Sequence, residues 1–338
     1  MSEIEKNLLE WSNSRLSVKG GLEVLNIRPL RQEASARKYF RINSKENTYV
    51  GVYSPPEVES NEQFIFLANL FKSNGVTVPE VVISDENLGF MLVEDFGDKS
   101  YQFSINKSNY HHLYSAAIEE MITIQSCTDH PKLPSLSKED MSDQMDLFRS
   151  WFLSDLLHLE ITYEENELIN ELYTVVLDDL VKQPQVLSHF DFESRNLMVL
   201  ENGTAGVLDF QDATFGPIFL DPVSLLKDLY FEMNEKEIDG LLTLYLSRAY
   251  ELGLIEKKKT SEIKKSFDLT GLQRQLRIMG TLSRLYLRDN KPFRLTDLIK
   301  TLEFATYNSA KYKELKGFSA FLKNVVSPVL TKTLNKIL

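Results

Sequence analysis

The stretch HFDFESRNLMVLENGTAGVLDFQD, His189 to Asp212, decides how this chain is read. It places an acid, an amide and a second acid (Asp191, Asn196 and Asp209) around one tight turn. Asn202-Gly203 is a pair preferred in two-residue hairpin loops, where both central residues take positive φ. The flanks LMVL and AGVLDF have the composition of short buried strands. With Asn202 and Gly203 as the loop, Leu200 faces Ala205, Met198 faces Val207 and Asn196 faces Asp209. Directly opposed residues project from one sheet face with Cβ atoms roughly 4.5–5.5 Å apart. That lets two side-chain oxygens meet one Mg²⁺, whose ligands sit at about 2.1 Å. The spacing predicts a metal clamp at Asn196 and Asp209, with Asp191 upstream in a loop.

These residue types suit phosphoryl transfer for separate reasons. A catalytic Asp is acceptor-only, so it can orient and deprotonate a hydroxyl. Asn lends a neutral oxygen, and the second Asp an anionic one, to ions bridging nucleotide phosphates. An Asp, an Asn and a further Asp in this order follow the logic of kinase sites. The bland alternative is a buried hairpin with incidental acids, but buried strands disfavour uncompensated carboxylates. His189 reads as a structural loop histidine. A metallohydrolase would need further ligands at suitable spacing; His111 and His112 are adjacent, while His130 and His158 stand alone. Asp221-Pro222 reads as a structural helix start, Asp at the N-cap and Pro at the first helical position.

The chain has 338 residues, 43% of them hydrophobic, enough for two lobes each with its own core. No apolar run approaches the ~20 residues that span a bilayer, and the acidic start MSEIEKNLLEWSNSRL does not resemble a signal peptide. No membrane partner is expected. The single cysteine, Cys127, cannot form an internal disulfide, so the cytoplasm is the expected location. A net charge of −11 repels a phosphate backbone and argues against nucleic acid.

Strand-like segments fill 22–53, with KYFRI (38–42) and TYVGVY (48–53) stopped by Pro55-Pro56. Phe64, Leu67, Ala68 and Phe71 recur at helical spacing and predict a helix over 58–73. VPEVVIS and GFMLVEDFG read as two more strands. Beyond Gly97 helical patterns dominate, over 107–126, 138–159, 165–182, 221–232, 236–252, 267–288, 294–312 and 317–336. EKKKTSEIKK (256–265) reads as a solvated connector. The expected fold class is α+β: a small β-rich N-terminal lobe (1–95) joined to a larger helical C-terminal lobe (96–338).

The run DFESRNLMVLENGTAGVLDFQDATFGPIFLDPVSLLKD resembles the aminoglycoside phosphotransferase and choline kinase superfamily. With FDLTGLQRQLRIMGTLSRLYLRDNKP (267–292), it is most similar to the branch of anomeric sugar kinases acting on N-acetylmuramate and N-acetylglucosamine. The similarity runs from SARKYFRI and the Pro-Pro-Glu segment to the helix ending near Asn290. The resemblance implies a two-lobed protein-kinase-like fold, an N-terminal nucleotide-binding lobe, and ATP-dependent phosphorylation of an amino sugar at O1 in peptidoglycan recycling. It implies Asp191 as catalytic base and Asn196 and Asp209 as Mg²⁺ ligands. It also implies LVEDFG as the hinge, where Val93, Glu94 and Asp95 meet adenine. Arg195 and Gln211 become candidate substrate contacts.

Two departures stand out. The loop expected to cover the phosphates, RQEASARKYF, has no glycine; Ser35, Arg37 and Lys38 are its candidate nucleotide-binding donors. The strand TYVGVY lacks the phosphate-anchoring lysine, leaving a helix glutamate, Glu59 or Glu62, without that partner. Rival readings are a kinase for choline, homoserine or an aminoglycoside, and a nucleotide-binding pseudokinase. Finally, Arg274, Arg277, Arg284 and Arg288 share one helical face. They are expected to pair with neighbouring acidic helices. The alternative is that Arg274 or Arg277 reaches the acceptor pocket and grips the lactyl carboxylate of N-acetylmuramate.

Overall fold

The computed structural model describes residues 1–18, 24–30, 36–58, 61–127 and 133–337. Ser35, Glu59 and His130 lie outside the described residues. The chain forms two compact units: Met1–Ile124 with Arg195–Asp212, and Gln125–Ser194 with Ala213–Leu338. Compactness therefore divides the chain elsewhere than after residue 95. The hairpin half of His189–Asp212 belongs to the first unit and its loop half to the second.

In the first unit, β1 (Val24–Pro29), β2 (Lys38–Ser44), β3 (Thr48–Tyr53), β4 (Val81–Asp85) and β5 (Phe90–Glu94) form one antiparallel sheet, ordered β1-β2-β3-β5-β4. Strand side chains alternate between faces. Phe40, Ile42, Phe90 and Leu92 point to one face and bury themselves against Leu8, Trp11 and Leu16 of the helix Glu3–Val18. Tyr39, Arg41, Val52 and Val93 occupy the other face and line a cavity. The helix Glu62–Ser73 buries Phe64, Leu67, Ala68 and Phe71, the residues its periodicity singles out.

The hairpin is corrected in register. β7 (Leu197–Val199) and β8 (Ala205–Val207) pair Leu197 with Val207, Met198 with Gly206 and Val199 with Ala205. Every pairing is thus one residue short of the two-residue-loop expectation. The reason lies in the turn. Only Gly203 takes positive φ (82°), while the Asn202 carboxamide accepts hydrogen bonds from the Thr204 N–H and hydroxyl. Gly203 N–H closes back on the Leu200 carbonyl, a three-residue loop ending in a left-handed glycine. Asn196 then lies opposite Leu208, whose N–H bonds the Asn196 carbonyl at 2.9 Å, and not opposite Asp209. Asp209 itself turns out of the strand at φ 62°. Outer edges of the hairpin are sewn to Thr77 and Lys99 by main-chain bonds.

The second unit packs around the helix Thr260–Leu287, whose Leu269, Leu272, Leu276, Met279 and Leu282 enter the core with Met145, Phe148, Phe152 and Phe318. Its N-terminus corrects the connector reading, since EKKKTSEIKK contributes the first turns of that helix from Thr260. Gly280 lets the Leu147 main chain approach; a Cβ there would lie 2.3 Å from the Leu147 carbonyl carbon. The 138–159 segment is α-helical over Lys138–Leu147 and π-helical over Phe148–Leu156, a wider winding that keeps Phe148, Phe152, Leu153 and Leu156 all buried. The helix expected over 221–232 is only Leu220–Leu226, because Asp228 turns back to bond the Ser194 and Tyr230 N–H groups. Two short strands that no residue pattern announces, β6 (Gln185–Ser188) and β9 (Thr214–Pro217), pair antiparallel. They hold the two ends of the central stretch.

Candidate active site

The loop that follows β6 is pinned by a wholly buried carboxylate. Asp221 accepts the N–H of His189 at 2.7 Å and of Phe190 at 3.0 Å. It is therefore not the N-cap that its sequence position suggests; Phe219 holds that place and makes no side-chain cap. Phe190 sits at φ 80°, a conformation that costs a bulky residue of order 1–3 kcal/mol and persists only where surroundings enforce it. The Asp221 grip on both flanking N–H groups supplies that enforcement. His189, 1% exposed, accepts the Asp191 N–H on Nδ1 and packs edge-on against Phe192. Its role in this geometry is to shape the turn beneath Asp191. Farther along, Asp228 accepts the Ser194 N–H.

Both buried acids resist ionisation. Burial pushes the Asp221 carboxyl up to about 6, with His189 and the two N–H donors pulling the other way. Burial, reinforced by Glu193, pushes Asp228 up to about 6 as well. A folded pKa above the unfolded value of 3.8 means that the folded state binds more protons between about pH 4 and 6. These groups then cost stability as pH rises through that window. Loop geometry has the opposite demand, because the ionised carboxylate is the better acceptor for two N–H groups. The expected outcome is that kcat falls as pH drops through about 6, with no matching loss of stability from these groups. Asp221→Asn should lower kcat even at pH ~8, by roughly 10-fold or more. An unchanged kcat in a folded Asp221→Asn enzyme would show that the loop does not need this clamp.

Two arginines of Thr260–Leu287 meet this loop. Arg274 is 6% exposed and donates to the Ser224 hydroxyl at 2.8 Å and to Glu193 at 3.0 Å. Arg277 donates to Asp191 Oδ1 at 2.9 Å, and its guanidinium lies 4.1 Å from the centre of the Phe190 ring. Arg288 pairs with its neighbour Asp289. Acidic helices are thus not the partners of the stripe; loop carboxylates are. Arg284 Nε is buried without a hydrogen-bond partner among the described residues.

In the other unit a cavity of about 770 Å³ is lined by Arg37, Val93, Glu94, Asp95, Arg195, Asn196, Asp209 and Gln211, among others. Small-molecule sites commonly measure roughly 300–1,000 Å³. Arg41 fixes the wall formed after β5, bonding Asp95 at 2.8 Å, Asp98 at 2.6 Å and the Gly97 carbonyl at 3.0 Å. β2 sends Tyr39 and Arg41 into the cavity, and Arg37, just before the strand, lines it as well; Lys38 is not among the lining residues, because alternation turns it to the opposite face. Arg37, 6% exposed, donates from Nε to the Ser54 hydroxyl at 3.1 Å and lies over the Phe64 ring. Phe210 anchors the far wall against Phe64 and Phe71. β3 carries no lysine, so the cations on this wall are Arg37, already a candidate from the sequence, and Arg41, which no motif singles out.

Asn196 is 6% exposed and Asp209 exposed. Gln211 Nε2 donates to Asp209 at 2.8 Å, while its Oε1 is buried without a partner among the described residues. A neutral amide oxygen, an anionic carboxylate and an orphaned buried acceptor are hard-oxygen chemistry that fits Mg²⁺. That ion is typically held by one or two carboxylates plus substrate phosphates and its own waters. Among the described residues no group of three or more His, Cys, Asp or Glu could hold a metal ion by itself.

Residues 26–253 match the phosphotransferase enzyme family. A relative from Neisseria meningitidis serogroup B, named N-acetylmuramate/N-acetylglucosamine kinase, is 33% identical over 299 residues, 87% of this chain and 89% of its own. Among solved structures, a choline kinase from Streptococcus pneumoniae aligns with a TM-score of 0.63 at 13% identity, covering 92% of this chain and 100% of that one. An ADP-bound aminoglycoside phosphotransferase, APH(2'')-Ib, aligns with a TM-score of 0.60 at 17% identity, covering 88% and 97%. At such identities the structural likeness speaks for the fold, which is kinase-like and α+β.

Proposed function

This chain belongs to the phosphotransferase enzyme family, and from that premise we propose that it transfers the γ-phosphoryl group of ATP to the anomeric O1 hydroxyl of N-acetylmuramate or N-acetylglucosamine. The observation that carries this reading is the 33% identity to a kinase of that name across 87% of the chain. Within that span lies a loop aspartate held by a dedicated buried clamp. In this reading Asp191 accepts the O1 proton as the O1–Pγ bond forms and the bond from Pγ to the β,γ-bridging oxygen breaks, releasing ADP. A hemiacetal hydroxyl is more acidic than an ordinary alcohol, so a carboxylate is an adequate base for it. Asn196 and Asp209 would hold Mg²⁺, which when bound would neutralise charge on the phosphates. Arg37 stands in for the absent strand lysine as the phosphate-side cation, since Arg41 is committed to Asp95 and Asp98. Val93, Glu94 and Asp95 present the hinge to adenine.

Arg195 and Gln211, which line the same cavity, are assigned as substrate contacts. His189 and Asp221 position the loop and touch no substrate. No described helix is long and apolar enough to cross a membrane, and an ATP-consuming enzyme with one cysteine fits the cytoplasm. The reading is tested by ATP turnover against a panel of N-acetylmuramate, N-acetylglucosamine, choline, homoserine and an aminoglycoside. Turnover should depend on the amino sugars. Stimulation by choline, homoserine or the aminoglycoside alone would replace the acceptor, and none by any would favour a pseudokinase.

A further inference from the structure

The two arginines beside the loop are not equivalent. Arg274 is buried and committed, with Nε on Ser224 and Nη2 on Glu193. Arg277 is held by one carboxylate oxygen and one ring face, and no other described side chain accepts from it. Among the described residues its Nε and Nη1 donors have no hydrogen-bond partner, and the Asp191 side chain it touches is 36% exposed. A guanidinium presents its N–H groups as a rigid planar fork, so one edge can stay on Asp191 while the other receives a second carboxylate. The chain as a whole carries a net charge of −11. A local cation therefore favours an anionic acceptor at the loop against the charge of the whole chain.

We propose that Arg277 determines acceptor preference by bridging Asp191 and a carboxylate on the sugar, so that a carboxylate-bearing amino sugar is used better than its neutral counterpart. The inference rests on the amino-sugar kinase reading above. N-acetylmuramate carries a lactyl carboxylate that N-acetylglucosamine lacks, and Arg277 recognises that group. Arg274 does not, being spent on holding the loop in place behind it.

The test compares N-acetylmuramate with its methyl ester, which keeps the shape and removes the charge, on the parent enzyme and on Arg277→Gln. The parent should show a kcat/KM for the acid roughly 10- to 150-fold above that for the ester, the range of a charge-assisted hydrogen bond. In Arg277→Gln the two should converge to within about threefold, whatever happens to absolute rates. Because each ratio is taken on one enzyme sample, a partly folded variant does not distort it. Equal use of acid and ester by the parent would overturn the proposal, as would a ratio preserved in Arg277→Gln. Turnover of no amino sugar by the parent would instead overturn the kinase reading, and this inference with it.

Discussion

Asp191→Asn should lower kcat by roughly 10²–10⁴-fold while leaving nucleotide affinity close to that of the parent, because general-base and orienting contributions are lost together. The amide keeps the size of the carboxylate but takes no proton from the acceptor hydroxyl. It also weakens the bond from Arg277, which now meets a neutral oxygen. The loop itself should survive, since Asp221, His189 and Asp228 each accept main-chain N–H groups along it. Nucleotide binding, followed by calorimetry, separates a lost base from a lost fold. Activity within a few-fold of the parent would remove Asp191 from the chemistry.

The second large effect is expected at the hairpin. Asn196→Ala and Asp209→Ala should each reduce Mg²⁺-dependent turnover by roughly 10²–10⁴-fold, the scale of losing several kcal/mol of charge stabilisation on the phosphates. Glu201→Ala, in the exposed turn of the same hairpin, should change little. The contrast controls for damage to the hairpin, since Glu201 lies in its turn while Asn196 and Asp209 flank the outer ends of its two strands. Asp209→Ala should also raise the Mg²⁺ concentration needed for half-maximal rate. Full activity in Asp209→Ala at ordinary Mg²⁺ would remove the metal assignment.

Much of this architecture is legible from residue patterns alone. The helix Glu62–Ser73 follows from Phe64, Leu67, Ala68 and Phe71, and the β2–β3 hairpin from KYFRI and TYVGVY. Misreadings came where one local rule competes with another. Asn202-Gly203 suits a two-residue turn, yet Asn202 uses its side chain to bond Thr204, and the loop grows by one residue. That single residue moves Asn196 from opposite Asp209 to opposite Leu208. Asp221 before Pro222 satisfies a capping pattern, but its carboxylate is worth more on two loop N–H groups 31 and 32 positions away. Long-range contacts of this kind leave no local periodicity. QVLS and TFGP, four residues each, are likewise too short to alternate visibly. The arginine stripe was visible as a face, but its partners were set by the loop that packs on it.

Phosphorylation at O1 of an N-acetylated amino sugar, as proposed, is read most directly from the product. After incubation with ATP, Mg²⁺ and N-acetylmuramate, phosphorus NMR should show a sugar phosphate whose phosphorus couples to the anomeric proton, and the product should no longer reduce alkaline copper. A phosphate coupled to the two C6 protons, with reducing power intact, would contradict the anomeric assignment while leaving phosphoryl transfer standing.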